Sequence, residues 1–363
     1  MNIIQKSHVT TSDNIEAFRT ASFPRSLEFV GSSLLSQTFA SLPLAAGYGE
    51  VTAEQFLGTV EALEVVDRAR LLSQRVAPIM LADLDGTLIR DASGIAIAEE
   101  YVAQGLVLPM LLPAIERLLP LFGSEYRGED PNAGTRKLID SYERWVVEDK
   151  HSDPEALQKT REIYGFLAYI YAGRTEAWVQ EFAKATFDKQ NFWDGVFTES
   201  KPLVKVLNRL GVAVAIISAS PDPVARVVAA HLGVPARLVR GVPIAVDSQG
   251  QYLAGLSGPL PFREGKVQHA QDLLLQEFGS SELQPLIAIG DTPAKTDSKM
   301  IEMARLALVA EPQTKRDYLR AAELEREGHA VVVIDFRSTV DGKFAGRFDL
   351  RGESFQDTTL KVV

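Results

Sequence analysis

The sequence predicts an α/β protein: a doubly wound, mainly parallel sheet interrupted by an inserted helical domain. Three features of the chain point there. Short apolar runs of strand length recur, helical patterns separate them, and about a hundred residues of purely helical pattern stand between the first run and the second.

The first run, "PIMLADL" from Pro78 to Leu84, shows no polar alternation, as suits a strand buried on both faces of a parallel sheet. Four more follow: "VAVAII" (212–217), "PLIAIG" (285–290), "LALVA" (306–310) and "AVVVID" (330–335). Between them, "KPLVKVLNRLG" and "DPVARVVAAHLG" close on Gly211 and Gly233, the residue type that ends a helix in a left-handed turn. "KVQHAQDLLLQEFG" and "TKRDYLRAAELEREG" complete the alternation, which assigns the main domain to 77–94 and 199–363. Near "RGVPIAVDSQGQYLAGLSGPL" a hairpin is predicted around Asp247 to Gly250.

The insertion, 95–198, contains "GTRKLIDSYERWVVEDK", "DPEALQKTREIYGFLAYIYAG" and "RTEAWVQEFAKATFDKQ", with a helix start at Asp153 and Pro154. It is too long for a loop and reads as a second domain. Residues 1–76 form an extension. Its last part, "VTAEQFLGTVEALEVVDRARLLSQRV", predicts one amphipathic helix with Thr52 as N-cap and Leu57, Val60, Leu63, Val66 and Ala69 packed on the main domain.

Composition narrows the function. A chain of 363 residues, 46% hydrophobic, is long enough for two domains. Its 38 basic and 48 acidic residues give a net charge of −10, which disfavours nucleic acid as a partner. Without cysteine there is no disulfide, thiolate nucleophile or cysteine zinc site, and the five histidines have no metal spacing. The apolar stretch Leu106 to Ile115 is too short and too rich in proline to span a bilayer. No signal-peptide pattern opens the chain, so a soluble, cytoplasmic protein with no membrane span is expected.

Ligands of doubly wound sheets bind beyond the carboxyl ends of the strands. Asp83 and Asp85 follow the first predicted strand, Ser218 and Ser220 the second, and Asp291 and Asp297 the third, while Lys266 begins the helix before that third strand. Singly, Asp291 reads as a helix cap and Lys266 as a solvated residue. Together they would converge on one crevice.

In this order, "DLDGTLI", "AIISASPD", "EGK" and "IAIGDTPAKTD" resemble the four motifs of the haloacid dehalogenase superfamily, in its phosphoserine phosphatase-like branch with a helical cap after the first strand (subfamily IB). The resemblance covers about 78–335. It implies a Rossmann-like core, a cap over 95–198 that recognises the leaving group, and a Mg²⁺-dependent phosphatase acting on a small phosphorylated metabolite through an aspartyl-phosphate intermediate. Asp83 would be the nucleophile and Asp85 the general acid and base. Asp83, the carbonyl of Asp85 and Asp291 would hold Mg²⁺. Ser218, the backbone after it at Ala219, and Lys266 would hold the phosphate, with Ser218 preferred to Ser220. Gly86 would free the chain to turn, Thr87 would fasten that turn, and Asp297 would support the metal site.

The pattern departs from the family in three places. The second acid of the last motif usually follows the first by four or five positions, where this chain has Lys295 and Thr296; a longer loop returning Asp297 to the site, or Lys295 in the acid's place, are the two readings. Ala92 stands where true phosphoserine phosphatases carry glutamate, and Ala219 and Ser220 replace a glycine pair, which speaks against phosphoserine. The insertion's aromatic residues, Tyr164, Phe166, Tyr169, Tyr171 and Trp178, read mainly as core, with a minority facing the site to receive an amino alcohol or choline phosphate. The competing functions are a phosphotransferase using the same intermediate, and a regulatory protein that binds a partner through 1–76.

Overall fold

The computed structural model describes residues 47–90, 92–147, 154–310 and 315–335. Seven strands form one sheet: β1 (Gly47–Thr52), β2 (Val76–Ala82), β3 (Ala213–Pro221), β4 (Val239–Val242), β7 (Gln284–Gly290), β8 (Leu306–Ala310) and β9 (Ala330–Asp335). Their order is β1-β9-β8-β7-β2-β3-β4, and every pairing is parallel. All seven residues of β2 are buried, as its unbroken apolar run requires.

Strand order explains where a site can form. The chain leaves β2 to β3 on one side, and β7 returns to pair with β2 on the other. This is the topological switch at which the connections part and leave a crevice beyond the strand ends. The crevice therefore opens where Asp83, Ser218 and Asp291 stand.

Helices cover both faces of the sheet. After β3 come α9 (Asp222–Leu232), α10 (Glu264–Phe278), α11 (Ser298–Met303) and α12 (Lys315–Arg326). Gly233 and Gly279 end α9 and α10 with φ of 84° and 77°, a left-handed conformation that suits glycine.

The predicted helix after Thr52 is two helices, α1 (Ala53–Glu61) and α2 (Arg68–Ser73). Thr52 caps the first in a capping box with Gln55, and Phe56 and Val60 are its buried face. Val66 leaves the helical path because its N–H donates to the carbonyl of Leu210 at 2.9 Å and its side chain is buried. Asp67 then caps α2, and Ala69 is exposed rather than packed. The sequence reading also lacked two strands of the sheet, β1 and β4. β1 pairs with β9 from Gly47↔Ala330 to Thr52↔Asp335, so the end of the extension completes the sheet edge. Residues 1–46, the rest of the extension, lie outside the described residues.

Between β2 and β3 the chain forms α3 (Ser93–Ala103), α4 (Leu112–Leu118), α5 (Pro131–Val147), α6 (Pro154–Tyr169) and α7 (Glu176–Lys189), and α8 (Ser200–Arg209) leads back into the sheet. Asp153 of the predicted helix start lies outside the described residues. Edge-on aromatic packing holds the insertion together: the Tyr101 ring meets those of Tyr171, Trp178 and Phe182 at centroid distances of 5.1, 6.1 and 5.7 Å. The predicted hairpin is present as β5 (Ile244–Val246) and β6 (Tyr252–Leu256). It stitches the insertion to the main body, since Gly173 N–H donates to the Tyr252 carbonyl and Tyr252 N–H to that of Arg174, both at 2.8 Å. No helix among the described residues is long and apolar enough to cross a membrane.

Because Thr52 ends the edge strand and starts α1, Thr52→Ala removes the bond that the Gln55 N–H donates to the Thr52 hydroxyl, while the Thr52 N–H keeps its bond to Gln55. The substitution should lower stability by about 1 kcal/mol, measured by denaturant unfolding.

Candidate active site

Asp83 is the first residue past β2, and its N–H donates to the Ile289 carbonyl of β7 at 2.9 Å. Leu84 turns fully into the core, and Asp85 follows. The chain then reverses through Gly86, φ 79°, whose N–H donates to Ile89 O at 2.7 Å. Thr87 fastens the turn through its N–H, which donates to Leu84 O at 3.2 Å, while its hydroxyl reaches Asp291 Oδ1 at 3.4 Å.

Asp85 is held by three donors. Ser93 N–H donates to Oδ1 at 2.8 Å, and the hydroxyls of Ser220 and Ser218 donate to Oδ2 at 2.6 and 3.2 Å. Burial nevertheless raises its pKa above the ordinary carboxylate value. Ser218 is wholly buried, gives its proton to Asp85 and accepts the Ser220 N–H at 3.0 Å. Ala219 and Ser220 line the adjoining cavity, whereas Ser218 does not. The hydroxyls of both serines are thus engaged with Asp85.

Lys266 arrives through a turn in which Gly265 N–H donates to Phe262 O at 2.9 Å. Arg263 holds φ 50° and ψ −109° there, the second position of a type II′ turn that glycine usually fills. Lys266 is 1% exposed, and its Nζ donates to Asp83 Oδ1 and Asp297 Oδ1, both at 2.5 Å. Of the two residues weighed for the last motif, Asp297 meets Lys266, and Lys295 lines the cavity. Asp297 also accepts from Thr292 N–H at 3.0 Å and from the hydroxyls of Thr292 and Thr296 at 2.9 and 3.1 Å. Burial alone would raise its pKa, but the Lys266 charge and these donors hold it below the ordinary value.

The acids share too little positive charge. Asp83, Asp291 and Asp297 each bring an oxygen within 4.8 Å of the others. Asp83 is pushed up to about 7 by burial, with Lys266 pulling it down and Asp297 pushing it further up. Asp291 rises well above the ordinary value through burial and the charges of Asp297 and Asp83. A fourth buried acid, Asp317 of α12, accepts the Ala294 N–H at 3.2 Å and adds to that repulsion. Nothing in "TKRDYLRAAELEREG" marks it, since a lone acid in a charged helix reads as solvated.

Residues 80–302 match the haloacid dehalogenase-like hydrolase family. The chain belongs to this family. Solved structures similar to this hydrolase include a protein of unknown function from Bordetella pertussis Tohama I, at 19% identity and TM-score 0.50, covering 71% of this chain and 98% of that one. Another, a conserved protein of unknown function from Anaerococcus prevotii DSM 20548, has 15% identity and TM-score 0.51, covering 77% and 91%. A phosphoserine phosphohydrolase-like protein from Francisella tularensis subsp. tularensis SCHU S4 is similar at 17% identity and TM-score 0.40, covering 70% and 94%. These likenesses concern the fold. No curated protein matches the sequence.

The acids of this hydrolase fit a metal ion. Both Asp297 oxygens are taken by donors, while among the described residues Asp291 accepts a single long bond from Thr87 and the second oxygen of Asp83 accepts none. Buried carboxylates with unfilled acceptor capacity and a charge excess are the donor set a hard cation takes.

A cavity of about 130 Å³ lies over these groups. Asp83, Asp85, Lys266 and Asp291 form its floor, and the insertion supplies Ile95, Tyr142, Thr160, Tyr164 and Leu167. Of the five aromatic residues singled out from the sequence, Tyr164 faces the cavity. Phe166 and Tyr171 are fully buried core, and Tyr169 and Trp178 pack against it. Tyr142 and Phe262 complete the aromatic wall, and nothing in the sequence distinguished them. Burial, together with the charges of Asp85, Asp83 and Asp291, pushes the Tyr164 phenol up to about 12, with Tyr142 opposing.

Gly290, the last residue of β7, has no room for a side chain: a Cβ there would stand 2.6 Å from Asp297 Oδ2 and 2.7 Å from its Cγ. Gly290→Ala should therefore push Asp297 off Lys266 and lower turnover at least about 100-fold, as a displacement near 1 Å can, while circular dichroism still reports a folded chain. A second expectation concerns pH. Asp83 keeps its proton in the folded state to about pH 7, whereas an unfolded carboxyl releases it near 3.8. The folded protein binds the extra proton between these values, so metal-free stability falls as pH rises through that window. Asp291 and Asp85, both raised, act in the same direction, and Asp297, lowered, acts below it. Melting temperatures of the chelated protein should decline from pH 5 to 7.5, and added Mg²⁺ should raise them more at pH 7.5 than at pH 5.

Proposed function

We propose that this hydrolase is a Mg²⁺-dependent phosphatase that cleaves a small phosphomonoester through an aspartyl phosphate on Asp83. One observation carries the proposal. Two acids two residues apart face one cavity in opposite environments: Asp83 against a buried ammonium, and Asp85 against hydroxyls and an amide.

Asp83 would attack phosphorus with a carboxylate oxygen as the ester P–O bond breaks, so one difficult displacement becomes two easier ones. Asp85 would give its proton to the departing alcohol oxygen and later take one from the water that attacks the aspartyl phosphate, releasing inorganic phosphate and restoring both acids. A hydroxyl partner suits an acid that changes state, because Ser220 can donate to a carboxylate and accept from a carboxylic acid. Lys266 would favour the ionised form of Asp83 against the effect of burial and offset charge on the transferring group, with Asp297 holding the ammonium in place. Asp83, Asp291 and the Asp85 carbonyl would hold Mg²⁺, which when bound neutralises the acids and the phosphate. Ala219 and Ser220 stand where the phosphate oxygens would lie, and 95–198 would act as the cap that selects the alcohol.

With Mg²⁺ and a generic aryl phosphate, Asp83→Asn should reduce turnover to background and Asp85→Asn should lower kcat about 10²- to 10⁴-fold. Asp297→Asn should cost more activity than Lys295→Ala. Mass spectrometry of the acid-quenched enzyme should place a phosphoryl adduct on Asp83; an adduct on another residue, or full turnover by Asp83→Asn, would overturn the mechanism.

A further inference from the structure

We infer that Lys295 reads a second anionic group on the substrate, so that the alcohol released carries its own negative charge. This rests on the phosphatase reading of the same cavity and adds the substrate class to it.

The two lysines lining the cavity are engaged differently. Lys266 is bonded to two carboxylates at 2.5 Å, so its charge serves the reaction centre. Lys295 lines the same cavity, is half-buried, and its ammonium makes no ion pair or hydrogen bond with any described residue. An ammonium on a partly dry wall with no carboxylate of its own is incompletely compensated and attracts an anion.

Its backbone is fixed. Lys295 N–H donates to Thr292 O at 2.9 Å and its carbonyl accepts the Ser298 hydroxyl at 3.2 Å. On either side, Ala294 N–H is bound by Asp317 and the Thr296 carbonyl accepts Arg263 N–H at 3.0 Å. The six-residue step from Asp291 to Asp297 thus has two results: it returns the acid to Lys266 and projects a lysine from a rigid loop into the cavity wall. Binding through a preorganised group forfeits less entropy than binding through a mobile one.

The rest of the cavity limits size. Ile95, Leu167, Tyr142, Tyr164 and Phe262 supply an apolar wall around about 130 Å³, room for a phosphate and a short alcohol. A free cation on that wall also disfavours the cationic alcohol expected from the aromatic residues. A short phosphorylated acid fits both the size and the charge.

Three two-carbon monoesters test this, because they differ in the charge of the distal group and little in size: 2-phosphoglycolate, ethyl phosphate and phosphoethanolamine. The wild-type enzyme with Mg²⁺ should prefer them in that order, with kcat/KM for 2-phosphoglycolate about tenfold or more above ethyl phosphate. Lys295→Ala should shrink that ratio to within about threefold, mainly by raising KM for 2-phosphoglycolate, Lys295→Arg should restore it, and Lys295→Glu should move preference toward phosphoethanolamine. Calorimetry with Asp83→Asn should show the same order in binding, independent of turnover. Equal losses on all three esters in Lys295→Ala would mean that the lysine serves the shared phosphoryl group and would overturn the inference, as would a wild-type enzyme indifferent to distal charge. Hydrolysis of an aryl phosphate but of none of the three would overturn the inference while leaving the phosphatase standing. Failure on the aryl phosphate as well would remove the phosphatase reading itself.

Discussion

The site depends on one buried cation. Lys266 is 1% exposed and bridges Asp83 and Asp297, which come from opposite ends of the catalytic segment of the chain. Burying an ammonium is costly, and here the cost is offset because two carboxylates surround it and Asp297 is itself filled by threonine donors. Removing any member leaves an unpaired charge in a dry place. The arrangement therefore tolerates little movement, and the fold around it is built to prevent movement.

That rigidity comes from several elements. The Asp83 N–H is tied to β7, Gly290 lets the Asp297 carboxylate pack against the strand end, and the strained Arg263 turn sets the start of α10. Arg263 N–H is bonded to the Thr296 carbonyl, so the lysine turn and the acid loop position each other. Asp317 contributes from α12 by holding the middle of that loop. The positive φ at Arg263 costs of the order of 1–3 kcal/mol and persists because its neighbours on both sides are fixed.

Legibility in the sequence followed the physical origin of each feature. β2 was readable because a strand buried on both faces has to be apolar throughout, and the acids were readable because they interrupt that run at its carboxyl end. Lys266 was marked by motif order, while the last motif left Asp297 and Lys295 as alternatives. β1 was not readable, because "GYGEVT" has little apolar content and forms a strand by pairing with β9 at the sheet edge. The break between α1 and α2 was hidden because the apolar spacing continues through Val66, and only the contact with Leu210 shows that Val66 has left the helix. Tyr142, Phe262 and Asp317 owe their places to tertiary packing, which no local pattern encodes. The bonds that Ser218 and Ser220 both donate to Asp85 follow from a geometry that spacing does not specify.

The two acids of one turn differ through their surroundings, and the proposed mechanism divides their work on that difference. Burial raises both, so burial alone would make them alike. What separates them is the kind of partner. An ammonium can only donate and carries charge, so its presence favours the ionised form of Asp83, the form that would attack in the proposed mechanism. The Ser220 hydroxyl is neutral and can donate or accept, so it suits Asp85 both with and without its proton, the freedom that the proposed acid and base role would need. Exchanging the partners would fix Asp85 as an anion and leave Asp83 protonated and unreactive. The functional asymmetry therefore lies in Lys266, Ser218 and Ser220, which arrive from β3 and α10, and the strand end supplies two chemically identical groups for them to distinguish.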